Sequence, residues 1–391
     1  MGTRGMSRTK RASMITIVAA LATAGSACAG ASEAERAKPL CRESLAAPEY
    51  RQAIGADRAL LRRLKEGLRA PGLSLTVATG GKIVWSVSCG YADVKSRRLV
   101  TAQTRFRIGS VSKTLTATAL AHYAETGRVD LDATIDRYAD FPSQGGAITL
   151  RRLAGHLAGI RHYESRAEAV NRRHFASVDA TLALFAGDPP VAEPGTRFSY
   201  SSYGYDVIGA ALEHASGRDF ASLMGEAVLA PVHMGETTVA TAPRAARATF
   251  YELEDSGRVR VAPPIDLSDR LPAGGFLSTA DDLARFGVAL TDGTLVGKTT
   301  AAMMFRSQRT TAGEETGYGL GFEVHSSPFG LFVGHTGVVT GGTAALLIHV
   351  KTGTLLALTT NLGYATAISP PPPKKGTPDP PTLLLPFIRG R

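Results

Sequence analysis

The most informative stretch of the sequence is RFRIGSVSKTLTATALAHYAETG, residues 105–127. A strand-like run ends at Gly109, and a helical pattern follows from Ser110. Ser110 and Lys113 are spaced to lie on one face of a helix, one turn apart. Ser110 would stand at the helix N-terminus, where unpaired N–H groups and the helix dipole favour negative charge. The stretch therefore combines a serine nucleophile, a nearby amine and hydrogen-bond donors for an oxyanion.

This spacing is weak evidence when it stands alone. Ser-x-x-Lys also occurs at residues 7–10, and a serine in this position could be an ordinary helix cap. Lys113 could accept a proton only if burial lowered its pKa from the usual value of about 10.4. The stretch predicts a nucleophilic serine only in combination with further motifs.

Two other stretches supply such motifs. PGTRFSYSSYGYDVIG, residues 194–209, places Tyr200 just before a helix. We predict that this phenol lies beside the Lys113 ammonium, which would favour its ionisation and make it a candidate general base. GHTGVVTGG, residues 334–342, puts His335-Thr336-Gly337 on a strand whose backbone can face the serine.

Together with HLAGIRHYE (residues 156–164) and AGGFLSTADDLARFG (residues 273–287), these motifs resemble the serine β-lactamase/penicillin-binding superfamily. The resemblance runs from about residue 70 to residue 361. It is greatest to the class C β-lactamase and D-alanyl-D-alanine carboxypeptidase branch, above all to its mitochondrial-type β-lactamase-like serine proteases. The resemblance implies an α/β fold of the β-lactamase/transpeptidase type, in which helices flank an antiparallel sheet and an all-helical lobe borders the active site.

The resemblance also implies roles for individual residues. Ser110 would be acylated while Lys113 and Tyr200 handle the proton, and which of the two is the general base stays open. The residues expected to contact the substrate or its oxyanion are Ser202, His335, Thr336, Gly337 and Val338, with the oxyanion bound by the N–H groups of Ser110 and Val338. The nine histidines include no His-Glu-x-x-His pattern, so we expect neither a metal nor another cofactor.

The second motif departs from the pattern of the family. The family usually has Tyr-x-Asn, whereas this chain has Tyr200-Ser201-Ser202. Its only two asparagines, Asn171 and Asn361, do not lie two residues after a tyrosine. The family's asparagine amide holds the lysine and the substrate carbonyl, while a serine has a shorter side chain with one hydroxyl. We expect Ser202 to accept a hydrogen bond from Lys113, and β-lactam hydrolysis to be weakened.

Three other features have structural rather than catalytic interpretations. Lys351-Thr352-Gly353 spells the Lys-Thr-Gly triplet of many β-lactamases, but it lies between two apolar runs and predicts a hairpin tip. The acids Asp281 and Asp282 follow Ser278-Thr279 and indicate the start of a helix. His156 and His162 are predicted to stabilise a loop of the helical lobe rather than to contact substrate.

The N-terminus has the features of an export signal. Four basic residues within residues 4–11 precede an apolar run at residues 14–24 that is too short to span a bilayer. We predict a signal peptide over residues 1–29 and a periplasmic or extracellular location, with lipidation of Cys28 as an alternative that would anchor the protein to a membrane. In an oxidising compartment, Cys41 and Cys89 could form a disulfide.

The rest of the chain is predicted to be one hydrolase domain, residues 30–369, followed by a proline-rich tail, residues 370–391. Apolar spacing predicts a helix over residues 56–68 and a hairpin around Gly80-Gly81. Strand character at residues 319–324, 331–334, 344–350 and 354–360 predicts a sheet built from residues 70–105 and 315–361, with a helical lobe over residues 115–270.

The tail is expected to be extended over residues 370–381, because this stretch contains seven prolines. It would then lack the long terminal helix with which family members close the sheet. Either residues 382–388 cover that face differently, or the face is less well covered.

The composition fits a globular protein with a large core, since 44% of the 391 residues are hydrophobic and 20% are charged. The net charge of +10 falls to +6 without the four basic residues of the leader. No Lys/Arg cluster interleaved with aromatic residues follows, so we expect no nucleic-acid partner.

These features predict an exported serine hydrolase that forms an acyl-enzyme with a peptide, amide or ester. Peptidoglycan stem peptides, other D-amino-acid peptides and β-lactams are the candidate substrates. The alternative hypothesis, motivated by Ser202 and the expected loss of the terminal helix, is a penicillin-binding sensor or scaffold with little turnover. The oligomeric state is left open.

Overall fold

The computed structural model describes residues 41–142, 147–240, 246–364 and 380–389. The predicted signal peptide, Cys28 and residues 370–379 of the predicted tail lie outside these ranges. The strands are β1 Cys41–Ala46, β2 Gly72–Thr79, β3 Lys82–Asp93, β4 Arg98–Leu99, β5 Phe106–Arg107, β6 Thr238–Val239, β7 Tyr251–Leu253, β8 Val259–Val261, β9 Phe276–Ser278, β10 Glu323–Ser327, β11 Gly330–Val339, β12 Gly342–His349, β13 Thr354–Thr360 and β14 Leu362–Tyr364. The α-helices are α1 Arg51–Leu68, α2 Ser112–Glu125, α3 Leu150–Ala154, α4 Arg166–Ala169, α5 Tyr203–Ser216, α6 Phe220–Met224, α7 Leu271–Gly274, α8 Ala280–Asp292, α9 Lys298–Met304 and α10 Pro380–Arg389.

A central antiparallel sheet joins the two ends of the described chain. Its strand order is β1-β3-β2-β13-β12-β11-β10, with β4 paired to β3. β2 and β3 form the predicted hairpin, whose turn has positive φ angles at Gly80 (62°) and Gly81 (76°), a region that glycine enters without steric cost. Lys351-Thr352-Gly353 forms the turn between β12 and β13, as the apolar runs on either side of it predict.

Both faces of the sheet are covered by apolar side chains. Alternate residues of a strand point to opposite faces, and β13 shows this directly. Leu356 and Leu358 pack with α1 and α10 on one face, whereas Leu355 and Ala357 belong to the core shared with α2, α5 and α8. The central sheet is therefore sandwiched between helices, in agreement with the predicted α/β fold.

The helix α2 carries the Ser-x-x-Lys segment through the centre of the molecule. Eleven of its residues, from Ser112 to Tyr123, are buried, so it is covered on nearly every side. Its N-terminus meets β11 and its flank meets α5 and α7. A rigid, buried helix of this kind fixes the direction of the side chains in its first turn.

The edge strand β1 is tied covalently to its neighbour. Cys41 is the register partner of Cys89 on β3, and a disulfide joins the two residues, whose Cα atoms are 4.0 Å apart. The cysteine pair that the sequence suggested is thus brought together in the structure.

The predicted C-terminal tail contains a helix rather than only extended chain. α10 begins at Pro380, where the first turn of a helix tolerates proline because its N–H groups need no helical partner. Leu383, Leu384 and Phe387 are buried against α1 and the sheet. The expectation of extended chain is therefore wrong for residues 380–381, and of the two alternatives left open, it is residues 382–388 that cover this face.

Other boundaries also differ from the prediction. The strand expected over residues 319–324 begins only at Glu323, because Gly317 and Gly321 adopt positive φ angles and bend the chain before it. The lobe expected to be all helical also contains β6, β7 and β8. These strands are two or three residues long, too short to give an alternating pattern. Within the described ranges, no helix is both long and apolar enough to cross a membrane.

Candidate active site

Ser110 lies in a single 3₁₀ turn, Gly109–Val111, that leads directly into α2. Gly109 has a φ of +50°, and a Cβ atom placed on it would lie 2.9 Å from the backbone nitrogen of Val338. The turn therefore packs against β11 so closely that only glycine fits. As predicted, the serine stands at the start of a helix and remains partly accessible to solvent.

The Lys113 amine is held one turn below the serine. Its Nζ lies 3.1 Å from Ser110 Oγ and 3.1 Å from Ser202 Oγ, and it donates to the carbonyl oxygen of Ala273 at 2.9 Å. The side chain is fully buried. These contacts orient the amine toward the serine hydroxyl, and they include the predicted contact with Ser202.

Burial lowers the pKa of Lys113 to about 7, because the charged ammonium loses its hydration. Two neighbouring groups act on it in opposite directions: Asp206 raises this pKa and Arg270 lowers it. Asp206 is itself buried, which raises the pKa of its carboxyl well above the usual value, so it is a weak counter-charge. A large fraction of the lysine is therefore neutral near pH 7 and can accept a proton.

The Tyr200 hydroxyl also contacts the serine. It donates to Ser110 Oγ at 2.9 Å, and the ring centroid is 4.9 Å from Lys113 Nζ. Burial raises the pKa of this phenol well above its usual value, and the nearby Glu323 carboxylate adds to the rise. The expectation that Tyr200 would ionise readily is therefore wrong, because desolvation outweighs the attraction of a lysine that is itself largely neutral.

Two histidines hold the Tyr-Ser-Ser segment in place. His156 Nδ1 accepts from the backbone N–H of Ser201 at 3.1 Å, and His162 Nδ1 accepts from that of Ser202 at 3.2 Å. Both histidines thus stabilise a loop, as predicted. Their rings also contact the Tyr200 ring, with centroid separations of 4.3 and 5.4 Å, so they form part of the active-site wall.

The strand β11 forms the opposite wall of the site. A Cβ atom placed on Gly337 would lie 1.9 Å from the carbonyl oxygen of Ile108 and 3.0 Å from the backbone nitrogen of Ser110. Glycine is therefore required here for the strand to approach the nucleophile. The segment bearing Val338 and the turn bearing Ser110 are in direct contact, which is the arrangement that an oxyanion hole shared between them needs.

His335 does not present a free donor to the cleft. Its Nδ1 lies 2.5 Å from the carbonyl oxygen of Thr336, and its Nε2 lies 2.8 Å from the Tyr318 hydroxyl. Burial lowers the pKa of its ring to about 4, so the ring is neutral near pH 7. Thr336 donates its hydroxyl to Glu323 at 3.3 Å. The His335-Thr336 pair is therefore engaged with protein groups.

Sequence reasoning missed three contributors to the site. Tyr318 precedes the edge strand β10, and Glu323 is the first residue of that strand. Neither residue belongs to a motif that the sequence analysis recognises. Ala273 contributes a backbone carbonyl, which has no sequence signature, although its stretch AGGFLSTADDLARFG is one of the motifs that carry the family resemblance. The acids Asp281 and Asp282 lie in the first turn of α8, behind the Thr279 cap, as expected. In the described ranges, no group of three or more His, Cys, Asp or Glu side chains is placed to hold a metal ion.

Comparison with known proteins gives consistent matches. A family model described as Beta-lactamase matches residues 58–370. The human mitochondrial serine beta-lactamase-like protein LACTB is 31% identical, and the match covers 63% of this chain and 58% of the human protein. The chain thus spans about three fifths of the length of the curated relatives it matches.

Solved structures share the fold. The octameric penicillin-binding protein homologue from Pyrococcus abyssi has a TM-score of 0.72 at 23% identity, with 86% of this chain and 78% of that chain covered. D-amino acid amidase from Ochrobactrum anthropi SV3 has a TM-score of 0.70 at 25% identity, with 80% of this chain and 92% of that chain covered.

Proposed function

Because the chain belongs to the beta-lactamase family, we propose that it is an exported serine hydrolase that acts through an acyl-enzyme on a peptide, amide or ester. One observation carries the proposal: Lys113 Nζ and Tyr200 Oη converge on Ser110 Oγ at 3.1 and 2.9 Å. The likeness to D-amino acid amidase supports an amide as the substrate class. The predicted leader, residues 1–29, is the basis for export.

In acylation, the neutral Lys113 amine takes the proton of Ser110 as Oγ attacks the substrate carbonyl. The N–H groups of Ser110 and Val338 bind the oxyanion that forms. When the carbonyl re-forms, the bond to the leaving group breaks and the leaving group takes the Tyr200 hydroxyl proton. The Lys113 ammonium replaces the proton that Tyr200 gave up, because burial disfavours a phenolate here, so the phenol is protonated and the amine is neutral again.

In deacylation, water attacks the ester carbonyl of the acyl-enzyme. Its proton passes to the neutral Lys113 amine, and its oxygen forms the new bond to the acyl carbon. When the bond to Ser110 Oγ breaks, the serine recovers its proton from Lys113. The lysine is then neutral and the phenol is protonated, so one water has been consumed and the site is ready for another cycle.

The direct test is to trap the acyl-enzyme. Purified mature protein is mixed with a penicillin or an activated ester, quenched in acid, and analysed by intact mass and peptide mapping. We expect one adduct, on the peptide that contains Ser110, which decays as product appears. An adduct on another residue would contradict the proposal. A lasting adduct without product would instead support the sensor alternative.

Replacing Tyr200 with phenylalanine tests its role as the general acid that protonates the leaving group. Hydrolysis of an anilide should slow by about 10²–10⁴-fold, because an anilide leaving group needs a proton. Hydrolysis of the matching p-nitrophenyl ester should change much less, since nitrophenolate leaves without one. Tyr364→Phe is the matched control, because the Tyr364 hydroxyl is buried without a hydrogen-bond partner among the described residues, on the other face of the sheet. Equal losses for both substrates would contradict this role.

A further inference from the structure

Glu323 places a carboxylate at the substrate wall of the site. It is the first residue of β10 and pairs in register with Gly334 on β11. Its Oε1 accepts from the Thr336 hydroxyl at 3.3 Å, and its side chain is 15% exposed. The carboxylate is therefore both reachable by solvent and adjacent to the residue that the family resemblance places in the cleft.

The charge of this carboxylate is poorly compensated. Its nearest basic groups are histidine rings, His325 Nε2 at 3.4 Å and His335 Nδ1 at 3.7 Å. His335 is buried and neutral near pH 7, because its pKa is lowered to about 4. Among the described residues, no lysine or arginine forms an ion pair with Glu323. The lysine of the site, Lys113, is fully buried and largely neutral near pH 7.

This arrangement determines which charge the cleft attracts. A substrate carboxylate at Thr336 would meet a like charge and a hydroxyl whose proton is already donated to Glu323. A substrate ammonium would meet an opposite charge in a partly desolvated place, where such an attraction is stronger than in water. The Glu323 charge also acts on the catalytic centre, because it contributes to the raised pKa of Tyr200.

We propose that Glu323 binds an ammonium group of the substrate, so that the enzyme favours amides and esters with a free amino group over those with a free carboxylate. This inference rests on the proposed acyl-enzyme function of Ser110. It gives Glu323 a part in binding and none in the proton transfers.

The test measures protection of Ser110 from a neutral fluorophosphonate probe by three amides: alaninamide, N-acetylalaninamide and N-succinylalaninamide, each as the D and the L form. Protection reports binding whether or not the amide is turned over. In the unaltered protein, the concentration of alaninamide that halves the labelling rate should be at least about tenfold lower than the corresponding concentration of N-succinylalaninamide. We expect this difference for the D form, the L form or both. In Glu323→Gln this difference should disappear, when protection is expressed relative to that variant's own labelling rate without competitor.

The control is Glu314→Gln, because Glu314 is an exposed acid in the loop before β10, and this variant should keep the full difference. Equal protection by all amides, no protection by any, or a difference that survives in Glu323→Gln would overturn the inference while leaving the proposed function intact. Failure of the probe to label Ser110 would overturn the proposed function and the inference with it.

Discussion

Replacing Ser110 with alanine is expected to abolish measurable turnover, with a loss on the order of 10⁴–10⁶-fold in kcat. The change removes the oxygen to which Lys113 Nζ and Tyr200 Oη both hydrogen-bond, so neither proton transfer has a partner. The fold should persist, because Ser110 is partly exposed and Lys113 keeps its contacts with Ser202 and Ala273. The measurement is hydrolysis of a p-nitrophenyl ester together with labelling by a fluorophosphonate.

The control for this change is Ser256→Ala, which alters an exposed serine in the turn between β7 and β8. It should hydrolyse and be labelled at the unaltered rate. Labelling of Ser110→Ala at the rate of the unaltered protein would show that another group is the nucleophile.

Replacing Lys113 with methionine is expected to lower kcat/KM by about 10²–10⁴-fold, the usual contribution of a general base. Methionine is of similar length and apolar, so it suits a fully buried position better than a charged side chain would. Lys113→Arg should be similarly impaired, because a guanidinium keeps its proton and cannot act as a base. Comparing the two variants separates the loss of a base from the loss of a positive charge.

Lys351→Met is the matched control for this pair. Lys351 belongs to the Lys-Thr-Gly triplet at the exposed turn between β12 and β13, so its removal should leave the rates unchanged. Activity of Lys113→Arg near that of the unaltered protein would contradict the assignment of the base, because it would show that only the charge matters.

Much of the site could be predicted from the sequence, because it depends on local spacing. Ser110 and Lys113 meet through helix periodicity, and the Tyr200 segment precedes a helix as expected. The superfamily and the α/β fold are confirmed by the family match and by the shared fold of solved structures. Short-range patterns of this kind can be predicted, because backbone geometry alone fixes which residues of a helix share a face.

The protonation states could not be predicted, because they depend on burial. The sequence places a phenol near an amine, but it does not show that α7 covers Lys113 through the Ala273 carbonyl. It also does not show that Tyr200 loses its hydration. The place of Glu323 in the site could not be predicted either, because Glu323 reaches Thr336 only when β10 pairs with β11. The helix α10 was missed because local proline content outweighed the apolar pattern of Leu383, Leu384 and Phe387.

The most direct test of the account is the pH dependence of Ser110 labelling by a neutral fluorophosphonate, followed from about pH 5 to about pH 9. Acylation needs the neutral Lys113 amine, so the rate should rise with pH and level off above the lysine pKa of about 7. The histidines in the wall do not interfere, because burial lowers the pKa of His335 to about 4 and that of His162 to about 3. In Lys113→Met the slow residual rate should lose this dependence. Two results in the unaltered protein would contradict a neutral Lys113 as the base. One is a labelling rate that does not change with pH. The other is a rate that keeps rising to the alkaline limit, as it would if the base were a lysine or phenol with its ordinary pKa.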